Sequence, residues 1–197
     1  MKKKTTIIRL FAVLSALMSV TVATAYDFVS DGIYYNITGR NTVEVTCDVP
    51  YSNCYGGYVY IPCYVAFNDM IYEVTRIGDS AFAYCKDLES VSIPPSVVEI
   101  GTSAFNFCSS LTSVILPESM CRIGNMAFTA CTNLSTVHCL AVIPPRISSS
   151  TFDKPVICSA TLIVPWGSLT DYLGDNTWKN FTIIQEMPEL PSNGCRH

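Results

Sequence analysis

Histidine is nearly missing from this chain: two of its 197 residues, His138 and the near-terminal His197. A serine or cysteine nucleophile needs a base beside it, so this shortage argues against hydrolase-type catalysis. Zinc wants paired Cys-x₂₋₄-Cys or His-x₃₋₅-His ligands, and no such pair occurs. His138 and Cys139 are adjacent, and on a strand they face opposite sides. No glycine-rich phosphate loop of the Walker or dinucleotide kind is present. Charge is scarce too, at 14% of residues against 49% hydrophobic. Disorder requires the opposite balance. The composition leaves acidic pairs of the glycosidase type open, but Asp79, Asp87, Glu89, Glu99 and Glu118 fall where turns or a solvated face are expected. The reading is that of a non-enzyme without cofactor or metal.

Basic residues are also unevenly placed. Lys2, Lys3, Lys4 and Arg9 precede an apolar run from Leu10 to Val22, and Ala23-Thr24-Ala25 follows with small residues. That layout predicts a secretory signal peptide over residues 1–25. The run is short of the ~20 residues a membrane-spanning helix needs. Residues 26–197 keep all 16 acidic side chains but only eight of the 12 basic ones, a formal net charge of −8. An acidic, exported chain without a basic cluster is a poor partner for nucleic acid. No second long apolar run follows, so no transmembrane segment is expected after cleavage. The expected location is extracellular or at the cell surface, with a periplasmic location as the alternative.

What the chain does have is a repeat. Ile77–Glu99 reads IGDSAFAYCKDLESVSIPPSVVE, and Ile100–Arg122 reads IGTSAFNFCSSLTSVILPESMCR. A third unit starts at Ile123 as IGNMAFTACTNLSTVHCLAVIPP before the 23-residue period slips. Such a period signals a solenoid. In each unit Leu-x-x-Val-x-Ile ends with period-two alternation, so Val91 and Ile93 point inward while Ser90 and Ser92 point outward. A strand this short gains stability only by stacking on its neighbours. Pro94 and Pro117 stop the strands. Gly78, Gly101 and Gly124 mark a tight bend expected to need φ > 0. Ser80-Ala81-Phe82 and its equivalents are expected to form one helical or 3₁₀ turn. Phe82, Phe105 and Phe128 then wedge into the core, each burial contributing about 1.5–3 kcal/mol.

The string IG-x-x-AF-x-x-C-x-x-L-x-x-V-x-I-P resembles the BspA-like class of bacterial leucine-rich repeats, closely from Ile77 to about Pro145 and more loosely beyond. The third unit departs: His138 stands where Ser92 and Ile115 stand, Cys139 where Ile93 and Leu116 do, and Leu140 replaces the proline. The resemblance implies secreted or cell-surface proteins, often adhesins that bind host matrix proteins or other bacteria. It implies no catalytic residue.

The expected architecture is mainly β with short helical turns: a leucine-rich-repeat solenoid over residues 77–147, flanked by caps. An N-terminal β cap with a degenerate repeat occupies 26–76, with strands at 28–37, 43–46 and 57–61. A C-terminal cap occupies 148–187, and 188–197 is a loose tail. In that second cap Ala160–Pro165 repeats the strand-then-proline ending. Ser168 is expected to cap a short helix, and Trp166, Tyr172, Trp178 and Phe181 are expected to cover the open core.

Ten cysteines in an exported chain ordinarily suggest disulfides. Here Cys85, Cys108 and Cys131 share one repeat position, so their Cβ atoms stack ~4.8 Å apart, wider than a disulfide prefers. They read as buried hydrophobes, and Cys121 and Cys139 as further core substitutions. Cys47 and Cys54 flank a loop and can pair; connectivity among Cys47, Cys54 and Cys63 stays open.

The outward strand positions form the candidate recognition face: Tyr58, Tyr60, Ser90, Ser92, Ser113, Ile115, Thr136 and His138, with Thr161 and Ile163 continuing it. Tyrosine suits such a face because it adds area and a hydroxyl at low entropy cost. The expected partner is a protein, host extracellular matrix or another cell-surface protein. A glycan is the alternative.

Overall fold

The computed structural model describes residues 25–189. The signal-peptide reading over 1–25 and most of the tail at 188–197 therefore lie outside the described residues. In chain order the strands are β1 (Phe28–Ser30), β2 (Ile33–Ile37), β3 (Thr42–Thr46), β4 (Gly57–Tyr60), β5 (Tyr64–Phe67) and β6 (Met70–Ile77). Then come β7 (Leu88–Ser92), β8 (Glu99–Ile100), β9 (Ser113–Leu116), β10 (Arg122–Ile123) and β11 (Thr136–Cys139). The chain closes with helix α1 (Lys154–Ser159), β12 (Thr161–Val164), helix α2 (Leu169–Gly174), a 3₁₀ turn (Trp178–Asn180) and β13 (Ile183–Glu186).

Each coil of the solenoid contributes to three faces. On the first, β9, β11, β12 and β13 run parallel in register: Ser113 beside Thr136, Thr136 beside Thr161, Thr161 beside Ile183. β4 and β7 form a separate parallel pair on the same side, with Tyr58 beside Ser90 and Tyr60 beside Ser92. The ladder is thus in two segments rather than one continuous sheet. The second face is built from β3, β6, β8 and β10, all parallel, with Arg76, Glu99 and Arg122 in one row. The antiparallel β1–β2–β3 meander closes its N-terminal edge. The expected single strand over 28–37 is split by the turn at Asp31-Gly32, both of which have positive φ. A β5–β6 hairpin turning at Asn68-Asp69 is inserted after β4. That insertion hides the first coil from a fixed period.

The third face is a column of turns. The expected helical or 3₁₀ turn at Ser80–Phe82 does not form. Ser80 and Tyr84 adopt φ of 57° and 64°, Ser103 and Phe107 55° and 61°, Met126 and Ala130 54° and 60°. This alternation turns every second amide toward the next coil: Phe82 N–H donates to Ala104 O at 2.7 Å, and Phe105 N–H to Ala127 O at 2.8 Å. A helix would satisfy those amides within its own coil and leave the coils unjoined on this face.

The repeat glycines need a different explanation from the one expected. None of Gly78, Gly101 and Gly124 has positive φ. They are glycine because adjacent coils touch there. A Cβ on Gly124 would sit 2.6 Å from Gly101 C and 2.6 Å from Thr102 N, and one on Gly78 2.7 Å from Val45 O.

The core is a column of rings. Phe82, Phe105, Phe128 and Phe152 stack with centroids 4.9, 5.2 and 5.1 Å apart and planes within 7°. Tyr55 covers one end at 4.7 Å and Trp178 the other at 5.8 Å. Buried Tyr172 and Trp178 keep their polar ends satisfied: the Tyr172 hydroxyl donates to Ala141 O, and Trp178 Nε1–H to Pro145 O, both at 2.7 Å. Phe181 is buried with them, but Trp166 is 58% exposed, so it is not part of the cover. It lies on the turn that leaves β12, outside the ring column. Ser168 stands at the start of α2, yet its hydroxyl donates back to Pro165 O. The Glu186 carboxylate accepts from Gly167 and Leu169 N–H instead. Helix α1 is capped by Asp153, which accepts from Val156 N–H at 3.3 Å and from Ala130 N–H at 2.8 Å in the preceding coil.

Candidate functional site

The outward row of the first face consists of side chains at alternate strand positions, held by ladders whose inward side chains are buried. Val59, Val91, Val114, Val137 and Leu162 face the core. Their neighbours therefore point away from it. Tyr58 and Tyr60 are 65% and 62% exposed, and Ile115 is 53% exposed. Ser90, Ser92, Ser113, Thr136 and His138 are partly exposed. Register brings Ile115 beside His138, and His138 beside Ile163. Tyr58 and Tyr60 sit one coil from Ser90 and Ser92. The structure thus gathers the sequence-selected residues on one side in two groups, Tyr58/Tyr60/Ser90/Ser92 and Ser113/Ile115/Thr136/His138. Strand β13 extends the second group with Ile183 and Gln185. Neither residue was placed on this face from the sequence. The signal was there, since Ile183 follows Thr161 by about one period.

A depression of about 480 Å³ borders the tyrosine pair, lined also by Ile33, Tyr55 and Gly56. The Tyr55 ring is pinned beneath it: its hydroxyl donates to Thr46 O at 2.5 Å and accepts from Tyr34 N–H at 3.1 Å. These bonds hold one wall of the depression in place, and Tyr58 and Tyr60 line it with exposed rings.

The buried cysteines are packed into the core. All nine described ones are free thiols. Cys108 Sγ–H donates to Phe82 O and Cys131 Sγ–H to Phe105 O, each at 3.0 Å and each to the preceding coil. Burial pushes the Cys85 thiol up to about 11 and those of Cys47 and Cys131 up to about 12. Protonated, buried thiols are inert. Cys139 is buried against the Tyr172 hydroxyl. Cys121 is a correction: it is exposed, because its position, shared with Val98, lies just outside the second face. Cys47 and Cys54 are not joined; Cys54 Sγ contacts Ser52 Oγ at 2.8 Å.

The acidic residues need one correction as well. Glu99 is not simply solvated. Its carboxylate accepts from Arg76 Nε at 3.2 Å and pairs with Arg122 at 3.3 Å. Arg76 also pairs with Glu44 and Asp79. The spacing of 23 between Arg76, Glu99 and Arg122 could have revealed this row.

Comparison with known proteins agrees with this architecture. The BspA-type leucine-rich repeat region family matches residues 56–186 in six copies, twice the number of units that the strict period had marked. A leucine-rich repeat protein from Bacteroides capillosus is similar at 24% identity, TM-score 0.55, over 82% of this chain and 98% of that one. A Treponema pallidum (T. pallidum) leucine-rich repeat protein is similar at 20% identity, TM-score 0.54, over 83% of each chain. A leucine-rich cell surface protein from Faecalibacterium prausnitzii is similar at 23% identity, TM-score 0.52, over 72% of this chain and 45% of that one. Curated proteins give no match. These structural likenesses establish the fold, and the family match covers most of the sequence: the chain belongs to the BspA-type leucine-rich-repeat family.

Proposed function

We propose that this protein is an exported interaction module that holds a protein partner against the outward row of its first face. The observation that carries the reading is the row itself: Tyr58, Tyr60 and Ile115 are large, exposed and fixed on hydrogen-bonded strands. Pre-positioned aromatic and aliphatic side chains lose little entropy on binding and make effective interface anchors. Ser90, Ser92, Ser113, Thr136 and His138 supply polar groups around them. Export rests on the basic-then-apolar start of the chain, and the cell-surface protein of Faecalibacterium prausnitzii offers a precedent for the location. Among the described residues no helix is long and apolar enough to cross a membrane. The expected partner is a host extracellular-matrix protein or another cell-surface protein, and no catalytic role is assigned.

A glycan partner is the second reading. It is favoured by the paired exposed rings of Tyr58 and Tyr60 beside their depression. The test is parallel binding of the purified protein to a panel of extracellular-matrix proteins and to a glycan array. Saturable binding to a protein is expected. Binding confined to glycans would replace the first reading with the second.

A further inference from the structure

The second face carries a row of charge that alternates and then stops alternating. Along neighbouring strands the residues in line are Glu44, Arg76, Glu99 and Arg122. The next rung, bridged in parallel register to Arg122, is Arg146. Each earlier arginine has its carboxylate: Arg76 pairs with Glu44, Asp79 and Glu99, and Arg122 shares the same Glu99 oxygen. Arg146 makes no ion pair among the described residues. Glu99 is two rungs from it and already shared. Two like charges on adjacent rungs, ~4.8 Å apart at the backbone, repel unless an anion lies between them. The loss of alternation sits in a chain whose overall charge is negative, so it is not part of a general basic surface.

The surroundings say what kind of anion fits. On one side of the pair is a niche of about 250 Å³ lined by Gly124, Asn125 and Ser148. On the other is a larger depression of about 540 Å³ lined by Met120, Cys121, Ala141, Val142, Ile143 and Pro144. Val142 and Ile143 are exposed, Ile143 at 79%. One acidic side chain, Glu118, stands on that rim without pairing to either arginine. A small inorganic ion would use the arginines and leave the apolar depression empty.

We propose that Arg122 and Arg146 bind a carboxylate of an extended acidic peptide segment, with an apolar side chain two residues along the peptide resting on Val142 and Ile143. Side chains two apart share one face of an extended chain, so the acid and the apolar group reach the two adjoining features together. Arginine favours a carboxylate through paired N–H donors. The site completes the alternation with an acid from another molecule. It lies on a different face from Tyr58, Ile115 and His138, and its test is independent of theirs.

The test uses a fluorescein-labelled decapeptide repeating Glu-Glu-Leu-Leu, followed by fluorescence anisotropy with the purified protein. The same peptide with Gln for every Glu, and a heparin-derived sulfated oligosaccharide, are the comparison probes. Saturable binding of the acidic peptide is expected, weakened at least tenfold by Arg146→Gln and lost with Arg146→Glu. Arg146→Glu restores the alternation, so it is also expected to raise the melting temperature, which shows that the variant folds. The proposal is overturned by equal binding of the Gln peptide, by unchanged affinity of Arg146→Glu, or by no peptide binding. Binding of the sulfated oligosaccharide alone would also overturn it and give the pair to another class of ligand.

Discussion

Gly124→Ala puts one methyl group between two coils. The added Cβ would lie 2.6 Å from Gly101 C, 2.6 Å from Thr102 N and 2.8 Å from Gly101 O. Ordinary contact begins near 3.4 Å, so the coils must part by about 0.8 Å. All three obstacles are backbone atoms, so no side chain can swing aside. Overpacking of this kind costs about 1–3 kcal/mol. The displacement also strains the flanking cross-coil bonds, Gly124 N–H to Ile100 O and Ser103 N–H to Asn125 O, both 2.8 Å. Each contributes about 0.5–1.5 kcal/mol net. A loss of about 2–4 kcal/mol follows, read by urea denaturation with circular dichroism. Gly174→Ala is the internal control, since nothing lies within 4 Å of its added Cβ, and it is expected to change stability by less than about 1 kcal/mol. Gly124→Asn separates the two explanations of the glycine. A positive-φ requirement would favour Asn over Ala, whereas crowding makes Asn at least as harmful. A Gly124→Ala loss below about 0.5 kcal/mol, or a clear rescue by Asn, would refute the close-approach argument.

Other expected outcomes follow from the same geometry. Phe105→Ala removes a ring stacked on both faces within the buried column and is expected to cost about 3–5 kcal/mol in equilibrium unfolding. In native alkylation followed by mass spectrometry, the exposed Cys121 and Cys158 are expected to label first, with Cys108 and Cys131 protected until unfolding. The thiols of Cys85, Cys47 and Cys131 have an ordinary value of 9.0 and are raised by burial to about 11, 12 and 12. The unfolded chain therefore loses these protons first, so their contribution to stability is whole below pH 9 and is lost as pH rises through 11–12. Melting temperatures measured from pH 7 to 11 are expected to fall above pH 9; a flat or rising profile would contradict this.

The sequence made the inward half of the fold legible because a solenoid repeats its core. Val91, Val114 and Val137, like Phe82, Phe105 and Phe128, recur at fixed spacing, and each is buried. It also placed the outward row, since period two leaves alternate residues outside once the valines are in. Features built from insertions were not legible. The β5–β6 hairpin breaks the period between β4 and β7. In the stretch leading into α1 one extra residue puts Phe152 24 positions after Phe128, off the 23-residue spacing, although its ring continues the column. The turn column was misjudged because Ser80, Tyr84 and Phe107 carry left-handed φ values that ordinarily mark glycine or asparagine. The glycines were misjudged in the converse way: their reason lies in the neighbouring coil, Gly101 against Gly124, and not in their own backbone angles. The charge row across Arg76, Glu99 and Arg122 crosses coils too, so it becomes visible only when residues one period apart are compared.

The outward row is the central claim, and the double substitution Ile115→Ser with His138→Ala tests it most directly. Both side chains lie outside the core on adjacent strands, so the circular dichroism spectrum and melting temperature are expected to stay unchanged. Affinity for the partner identified in the matrix-protein panel is expected to fall at least tenfold, a loss of about 1.4 kcal/mol or more. An unchanged affinity in a folded double variant would contradict the assignment of this face as the binding surface.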